Sequence, residues 1–329
     1  MSPSPEEFNE SARGAAETHR WRGLDAYLKS QILGQDPAIG EFADALLAGE
    51  MGHARPGRPA SLLLLLGPTG TGKTQAAVEA ARHLHGENAI VRINLGEFAS
   101  EERAGFLIGS GGSPGFLGES VKRLRAAGGR ILLLDEIEKA HRRVSDLLLG
   151  MESGFMGGGA DLVDLSGLHM ILTSNLGTSE VIEMDGVARA SIRRHLEQEA
   201  AAFFRPEAFA RFTAVVVFNR LPRDAQARIC ARMIDDEAAY QARALSLRFG
   251  HPVRLHVGAG VSRRLLSEGF HRTLGARPLR NVIERRLRGA LVESRLRGAL
   301  GPGVSDALFA VDEARGVRAK IVRSRIALP

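Results

Sequence analysis

The chain has 329 residues, of which 44% are hydrophobic and 25% charged, with a formal net charge of +6 and a sequence pI of about 10.0. This length and composition suit one large domain with a small one, and they exclude a wholly disordered chain. Cys230 is the single cysteine, which excludes an internal disulfide and a cysteine metal cluster.

Charge and hydropathy also bear on where the protein acts. No apolar stretch reaches membrane-spanning length, and residues 1–10 lack the pattern of a secretion signal, so a cytoplasmic protein without a membrane partner is expected. The basic charge is almost all arginine, which indicates either a nucleic-acid surface or arginine in place of lysine on solvated helix faces. Aromatic residues make up 5% of the chain, which is few for a single-strand binding platform, so a nucleic-acid partner is not expected.

The N-terminal part is predicted to be a mobile lead followed by two helices. The lead covers residues 1–23, although helical spacing begins at Trp21 and continues to Gln31. A second helix is predicted over Pro37–Leu47, with proline well placed in its first turn. A loop rich in glycine, proline and arginine then covers Met51–Ala60.

Five short apolar runs, separated by helical or loop segments, predict a five-stranded parallel sheet of an α/β protein, with helices on both faces. The runs are Leu62–Leu66, Ala89–Ile93, Arg130–Leu134, Met170–Thr173 and Ala214–Phe218. This large domain is predicted to cover residues 24–222. A small α+β lid domain is predicted over residues 223–329, with helices over Asp224–Leu245 and Pro278–Leu300 and strands over Val253–Val257, Ala307–Val311 and Ala319–Val322.

A glycine-rich stretch with the sequence Gly-Pro-Thr-Gly-Thr-Gly-Lys-Thr joins the first run to a predicted helix over Gln75–Ala81. Such glycines let backbone N–H groups converge on an anion, and the helix N-terminus adds its positive dipole end. Lys73 can then reach the β- and γ-phosphates of a nucleotide, and the Thr74 hydroxyl can bind Mg²⁺. The stretch is a P-loop, or Walker A motif, and we predict that ATP is bound by Gly67, Pro68, Thr69, Gly70, Thr71, Gly72, Lys73 and Thr74.

Polar side chains follow two further runs at the ends of their strands. Asp135 and Glu136 come directly after Ile131–Leu134, as in a Walker B motif. Asp135 suits the Mg²⁺ shell, and Glu136 suits the base that activates a water molecule against the γ-phosphate. Asn175 follows the fourth run and could bond that water or the γ-phosphate, or could simply form a turn beside Gly177.

Six motifs resemble, in one order, the second ATPase domain of ClpA/ClpB-type AAA+ unfoldases. The resemblance extends from about residue 24 to about residue 325. It implies an AAA+ fold and a hexameric ring that hydrolyses ATP and threads a polypeptide substrate through an axial pore. The motifs are Ile32–Asp36, Gly67–Thr74, Asp135–His141, Thr173–Gly177, Phe204–Glu207 and Gly275–Leu279.

The resemblance also implies roles for residues outside the P-loop. Arg211 resembles the arginine finger that acts on the neighbouring subunit's nucleotide, although Ala210 and Thr213 replace the usual asparagine and acidic residue. Arg205 is a secondary candidate at the same interface. Arg277 resembles the sensor that contacts the γ-phosphate within one subunit. The apolar adenine contacts of the family correspond to Ile32 and Leu33.

The stretch Gly109–Gly118 is predicted to be a mobile loop. Within it Gly115, Phe116, Leu117 and Gly118 resemble the axial pore loop, so Phe116 is expected to grip polypeptide and to pack little. A second mobile loop over Gly154–Gly167 resembles the lower pore loop. The segment Leu176–Phe203 lacks the Ile-Gly-Phe or Ile-Gly-Leu tripeptide of protease-docking members, so no ClpP-type peptidase partner is expected.

Two other functions remain open from the sequence. One is a nucleotide-controlled assembly ATPase, or scaffold, that acts on one dedicated protein partner without threading it. The other is a nucleic-acid motor, which the arginine content permits but the aromatic Phe116 stretch disfavours.

Overall fold

The computed structural model describes residues 20–53, 57–87, 89–109, 113–151, 154–156, 163–181, 187–204, 206–258, 260–271, 273–312 and 316–323. The chain divides into two compact units, one ending at Arg220 and the other beginning at Leu221. The first helix, α1, covers residues 20–31, so residues 20–23 of the predicted lead are helical, and Trp21 is buried. The rest of that lead lies outside the described residues.

The first unit is built on a five-stranded parallel sheet, which confirms the predicted fold class. Its strands have the order β2-β3-β6-β1-β7, and a separate antiparallel pair is formed by β4 and β5. All six residues of β1 are buried, as expected for a parallel strand covered on both faces. The strands are β1 (Ser61–Leu66), β2 (Ile90–Asn94), β3 (Ile131–Asp135), β4 (Phe155–Met156), β5 (Val163–Asp164), β6 (His169–Ser174) and β7 (Ala214–Val217).

Helices cover both faces of this sheet. Side chains of α1, α2 (Asp36–Ala48) and α3 (Lys73–His85) pack with Leu63 and Leu65 in one core. Leu64 and Leu66 belong to the core on the opposite face, because successive side chains of a strand point to opposite sides. Six helices contribute to that second core: α4 (Glu101–Ile108), α5 (Gly115–Ala126), α6 (Arg142–Met151), α7 (Thr178–Val181), α8 (Arg189–Phe204) and α9 (Pro206–Phe209).

The second unit is a small mixed domain, as predicted. Its sheet has the order β10-β9-β8, with β8 and β9 parallel and β9 and β10 antiparallel. Its core includes Cys230, whose thiol pKa is raised by burial to about 11. The elements are α10 (Arg223–Phe249), β8 (Arg254–Val257), α11 (Val261–Gly269), α12 (Arg277–Leu296), β9 (Asp306–Asp312) and β10 (Gly316–Arg323).

The prediction that Phe116 lies in a loop and packs little is wrong. Helix α5 begins at Gly115, so Gly115, Phe116, Leu117 and Gly118 form its first turn. Leu117 is buried, and Phe116 is half-buried. The Phe116 ring stacks with the rings of Phe98 and Phe106, with 6.0 Å between ring centroids in each pair. The glycines serve close packing here, because a Cβ on Gly115 would lie 2.4 Å from the backbone nitrogen of Gly109.

Parts of two other predicted features lie outside the described residues. Of the predicted lower pore loop, residues 157–162 are not described, while the flanking residues include the pair β4 and β5. Arg205 also lies outside the described residues. The loop predicted over Met51–Ala60 begins differently, because Gly49–His53 form a π-helical turn that follows α2.

Candidate functional site

The P-loop connects β1 to α3 through backbone that only glycine adopts easily. Gly67 has a φ of 138°, and a Cβ there would lie 2.1 Å from the carbonyl oxygen of Phe218. Gly72 has a φ of 105°, and its added Cβ would lie 3.0 Å from Ile32 Cγ2. The Thr71 hydroxyl donates to the Pro68 carbonyl at 2.8 Å and closes the turn. The loop therefore delivers the chain to the N-terminus of α3, where unpaired N–H groups attract an anion.

Lys73, the first residue of α3, is buried and points back over the loop. Its ammonium donates to the carbonyls of Gly67 at 2.5 Å and Pro68 at 3.0 Å, and to Asn175 Oδ1 at 2.9 Å. Burial lowers the pKa of Lys73 to about 8, against the opposing effect of nearby carboxylates. A desolvated ammonium held by neutral oxygens gains more from a phosphate anion than a solvated one would.

Asp135, the last residue of β3, lies beside the hydroxyl of Thr74. The Thr74 hydroxyl donates to the two carboxylate oxygens at 3.0 and 3.2 Å. Thr173 from β6 donates a short hydrogen bond to Oδ1, and Arg92 from β2 donates to Oδ2. A hydroxyl and a carboxylate together are oxygen ligands of the kind that Mg²⁺ binds beside nucleotide phosphates, so the residues present fit this ion.

Glu136 follows β3 in a conformation that is costly for any residue except glycine. Its φ is 62°, and among the described residues it is the one non-glycine with a positive φ. Such strain costs about 1–2 kcal/mol and is concentrated at functional sites. The Glu136 N–H donates to the Thr173 hydroxyl at 3.1 Å, and its carboxylate accepts from Lys139 at 2.8 Å. Thr173 therefore holds both acidic residues at the end of β3.

Asn175 follows β6 and faces the P-loop. Its side-chain oxygen accepts from Lys73 and, at 3.2 Å, from the Thr69 hydroxyl. Its amide donates to Glu138 at 2.9 Å. These contacts go beyond a local turn, because they join the end of β6 to the loop after β1 and to the segment after β3.

The structure thus brings together most of the site predicted from the sequence. Lys73, Thr74, Asp135, Glu136 and Asn175 meet at the carboxyl ends of β1, β3 and β6, where parallel sheets bind ligands. Sequence reasoning assigned no site role to four residues that contact these five: Arg92, Thr173, Glu138 and Lys139. The one signal for Arg92 was a charged residue inside an otherwise apolar strand.

The segment after α1 lies against the P-loop. Ile32 is buried with its Cγ2 beside Gly72, and Leu33 is half-buried. Gln35 is buried, donates to the Asn219 carbonyl at 2.7 Å and accepts from the Asn219 N–H at 3.1 Å. These two bonds fix the segment to the end of β7, while adenine binding by Ile32 and Leu33 stays a prediction.

The two predicted arginine roles concern exposed residues. Arg211 lies in the turn after α9, where its backbone N–H donates to the Ala208 carbonyl at 3.1 Å. Arg277 is exposed at the first residue of α12, in the second compact unit. Their roles in finger and sensor positions stay predictions.

Two family models match the chain. The AAA domain (Cdc48 subfamily) matches residues 58–215, and the C-terminal, D2-small domain of ClpB protein matches residues 226–305. The two models together cover well over half of the chain. The first matches residues of the first compact unit, and the second matches residues of the second unit.

Several curated relatives are similar over most of the chain. Chaperone protein ClpB 2 of Thermosynechococcus vestitus is 30% identical over 302 residues, which cover 88% of this chain and 33% of that protein. Chaperone protein ClpC4, chloroplastic, of Oryza sativa subsp. japonica is 30% identical over 328 residues, which cover 95% of this chain and 34% of that protein. The ATP-dependent Clp protease ATP-binding subunit ClpE of Lactococcus lactis is 30% identical over 274 residues, which cover 80% of this chain and 35% of that protein. The chain spans about a third of the length of these relatives.

The described part of the chain contains no helix long and apolar enough to cross a membrane. It also contains no group of three or more histidine, cysteine, aspartate or glutamate residues arranged to hold a metal ion. The site geometry, the two family models and the relatives agree with one another, and the chain belongs to the Clp-type AAA+ ATPases, resembling their C-terminal ATPase domain.

Proposed function

We propose that this chain binds ATP with Mg²⁺ and hydrolyses it at the site around the P-loop. The observation that carries this proposal is the convergence of Lys73, Thr74, Asp135, Glu136 and Asn175 at one edge of the sheet. A lysine ammonium, a hydroxyl–carboxylate pair that can hold Mg²⁺ and a carboxylate that can activate water are the groups that phosphoryl transfer to water uses.

Each residue has a distinct task in this reaction. Lys73 neutralises phosphate charge, and the N–H groups at the start of α3 bind phosphate oxygens. Thr74 and Asp135 hold Mg²⁺, which supplies positive charge against the phosphates when bound. Glu136 accepts a proton from the attacking water, and Asn175 orients that water or the γ-phosphate. Lys139 is paired with Glu136 Oε2 at 2.8 Å, so Oε1 is the carboxylate oxygen that accepts the proton while this pair persists.

Replacing Glu136 with glutamine tests the proposed hydrolysis. Glu136→Gln should abolish phosphate release and retain nucleotide binding, because Lys73, Thr74 and Asp135 are unchanged. Glu101→Gln is a matched control, since Glu101 is exposed on α4 and pairs with the exposed Arg143 at 3.3 Å. Near-normal turnover by Glu136→Gln, measured as phosphate released with time, would overturn the assignment.

We further propose that the active form is a ring, with Arg211 acting on the nucleotide of the neighbouring subunit and Arg277 on that of its own. Arg211 is exposed, as a group that reaches another subunit must be. Arg211→Ala should bind ATP and hydrolyse it poorly. Mixing it with Lys73→Ala should restore part of the activity, by pairing an intact pocket with an intact arginine. If mixed rings form without any recovery, the role in trans is wrong.

The substrate we propose is a polypeptide, which the ring unfolds or remodels; two of the relatives are named chaperone proteins. A second candidate, an assembly ATPase acting on one dedicated partner, is favoured by one observation: Phe116 is packed in α5 between other aromatic rings. A packed ring is less suited to gripping many sequences than a ring on a mobile loop. We also infer that no ClpP-type peptidase, nucleic acid or membrane takes part.

Stimulation of ATPase activity separates these two candidates. A model unfolded protein should raise the rate of ATP hydrolysis if the ring remodels polypeptides generally. An assembly ATPase should not respond to it. The control is the same protein in its folded form, which neither mechanism recognises.

A further inference from the structure

Arg92 reaches the proposed metal site from the edge of the sheet. It lies on β2, the edge strand, and β2 pairs with β3 so that Asn94 stands opposite Asp135. The Arg92 side chain extends toward that end of the sheet and donates to Asp135 Oδ2 from Nε at 3.1 Å and from Nη2 at 2.5 Å. The carboxylate is 6% exposed, whereas the arginine side chain is 54% exposed.

The Asp135 carboxylate already has as many donors as it can accept. Two carboxylate oxygens offer about four lone-pair positions. The hydroxyls of Thr74 and Thr173 donate to Oδ1, and the Thr74 hydrogen bond is bifurcated between Oδ1 and Oδ2. Arg92 Nε and Nη2 both donate to Oδ2. A ligand that binds this carboxylate must therefore displace one of these donors.

Of the three side chains, Arg92 is the one free to leave. Thr173 is buried on the central part of the sheet and also accepts from the Glu136 N–H. Thr74 is fixed by α3 and supplies an oxygen that Mg²⁺ itself uses. Arg92 carries a positive charge that a divalent ion repels, and its exposed guanidinium can be solvated when it moves away.

We propose that Arg92 is a built-in counter-cation that occupies the Asp135 carboxylate in the metal-free protein and competes with Mg²⁺ for it. This inference rests on the proposed function, because it requires that Asp135 serve the metal. It makes Arg92 a positioning residue with two effects. Arg92 holds the buried charge of Asp135 in place before the metal binds, and it sets the Mg²⁺ concentration at which the site fills.

The sign of the effect distinguishes competition from support. If Arg92 competes, Arg92→Gln should lower the Mg²⁺ concentration for half-maximal binding about tenfold, which corresponds to one charge-assisted hydrogen bond. If Arg92 instead stays in place and orients Asp135 toward the metal, the same substitution should weaken Mg²⁺ binding. Arg92→Lys keeps the charge and loses the two-point contact, so a smaller gain of about threefold is expected.

The experiment is a Mg²⁺ titration at fixed ADP, read as fluorescence of a labelled ADP bound to the full chain, with thermal stability as a second readout. Arg143→Gln is the matched control, because it makes the same change of charge and removes an exposed ion pair with Glu101 at 3.3 Å. It should titrate as the unsubstituted protein does. In the absence of nucleotide, Arg92→Gln should lower the melting temperature, and Mg²⁺ alone should restore more of it than it adds to the unsubstituted protein.

The outcomes separate the inference from the proposed function. An unchanged or weaker Mg²⁺ affinity in Arg92→Gln, with normal binding by the unsubstituted protein, overturns the role of Arg92 alone. Absence of Mg²⁺-dependent ADP binding in the unsubstituted protein overturns the proposed function. If Arg92→Gln does not fold, Arg92→Lys decides the question, since an affinity equal to that of the unsubstituted protein would contradict competition.

Discussion

Replacing Thr173 with valine should destabilise the first unit and disturb its site together. Thr173 lies near the end of β6 and is 2% exposed, and its hydroxyl makes two contacts with residues at the end of β3. It donates a short bond to Asp135 and accepts from the Glu136 N–H at 3.1 Å. Valine has nearly the same shape, so the substitution removes the hydroxyl and its bonds while leaving the packing in place.

The two bonds set the expected loss in the free energy of unfolding. A bond to a charged group contributes about 1.5–3 kcal/mol, and a buried N–H left without a partner costs about 1–3 kcal/mol. Because both losses occur at one site and are not independent, we expect a total of about 2–4 kcal/mol. Nucleotide binding should weaken as well, since Asp135 and Glu136 both lose their fixed positions.

Equilibrium urea unfolding measures this loss, with two further variants as comparisons. Thr213→Val is the matched control, because the Thr213 hydroxyl accepts a single neutral bond from the Leu62 N–H at 3.0 Å. Its expected loss is about 1 kcal/mol. Thr173→Ser keeps the hydroxyl and should retain most of the nucleotide binding. A loss in Thr173→Val no larger than in Thr213→Val would refute the role given to Thr173.

Three further predictions follow from close contacts and burial. Gly67→Ala should cost at least about 2 kcal/mol and impair nucleotide binding, because its Cβ would meet the Phe218 carbonyl at 2.1 Å; Gly86→Ala, with a φ of 99° and no atom within 4 Å of its Cβ, should cost about 1 kcal/mol in the same unfolding assay. Phe116→Ala should lower the unfolding free energy by about 1–3 kcal/mol, since two stacked ring contacts are lost; an unchanged value would mean that this ring does not pack. Burial lowers the pKa of His85 to about 4, so the folded protein favours the neutral imidazole. The free energy of unfolding is therefore unaffected by this group above pH 6.5 and decreases as the pH falls from 6.5 toward 4. Between pH 7 and 5, His85→Gln should lose less stability than the unsubstituted protein, by about 1 kcal/mol after allowance for solvent screening, and an identical pH dependence would contradict this.

The sheet and the main site residues were predictable because their signals are local. An apolar run such as Leu62–Leu66 identifies a strand buried on both faces. Parallel strands bring their carboxyl ends to one edge, so polar residues after each run had to lie close together. Asp135, Glu136 and Asn175 could therefore be placed near Lys73 without knowing any distance between them.

The contacts of Arg92 and Phe116 depend on packing that no local pattern encodes. Arg92 precedes Asp135 by 43 positions, and their contact follows from the register between β2 and β3 and the reach of the arginine side chain. The glycines around Phe116 suit a mobile loop and a close backbone approach equally well from the sequence. The second alternative holds, because Gly109 and Gly115 bring two backbone segments within van der Waals distance.

The nucleotide that remains bound after incubation with Mg²⁺ and ATP tests the proposed hydrolysis most directly. Chromatography of the denatured complexes identifies the retained nucleotide in the unsubstituted protein, Glu136→Gln and Lys73→Ala. We expect ADP with the unsubstituted protein, ATP with Glu136→Gln, and little of either with Lys73→Ala, whose buried ammonium is lost. ADP on Glu136→Gln, or equal nucleotide on Lys73→Ala, would contradict the roles assigned to these residues.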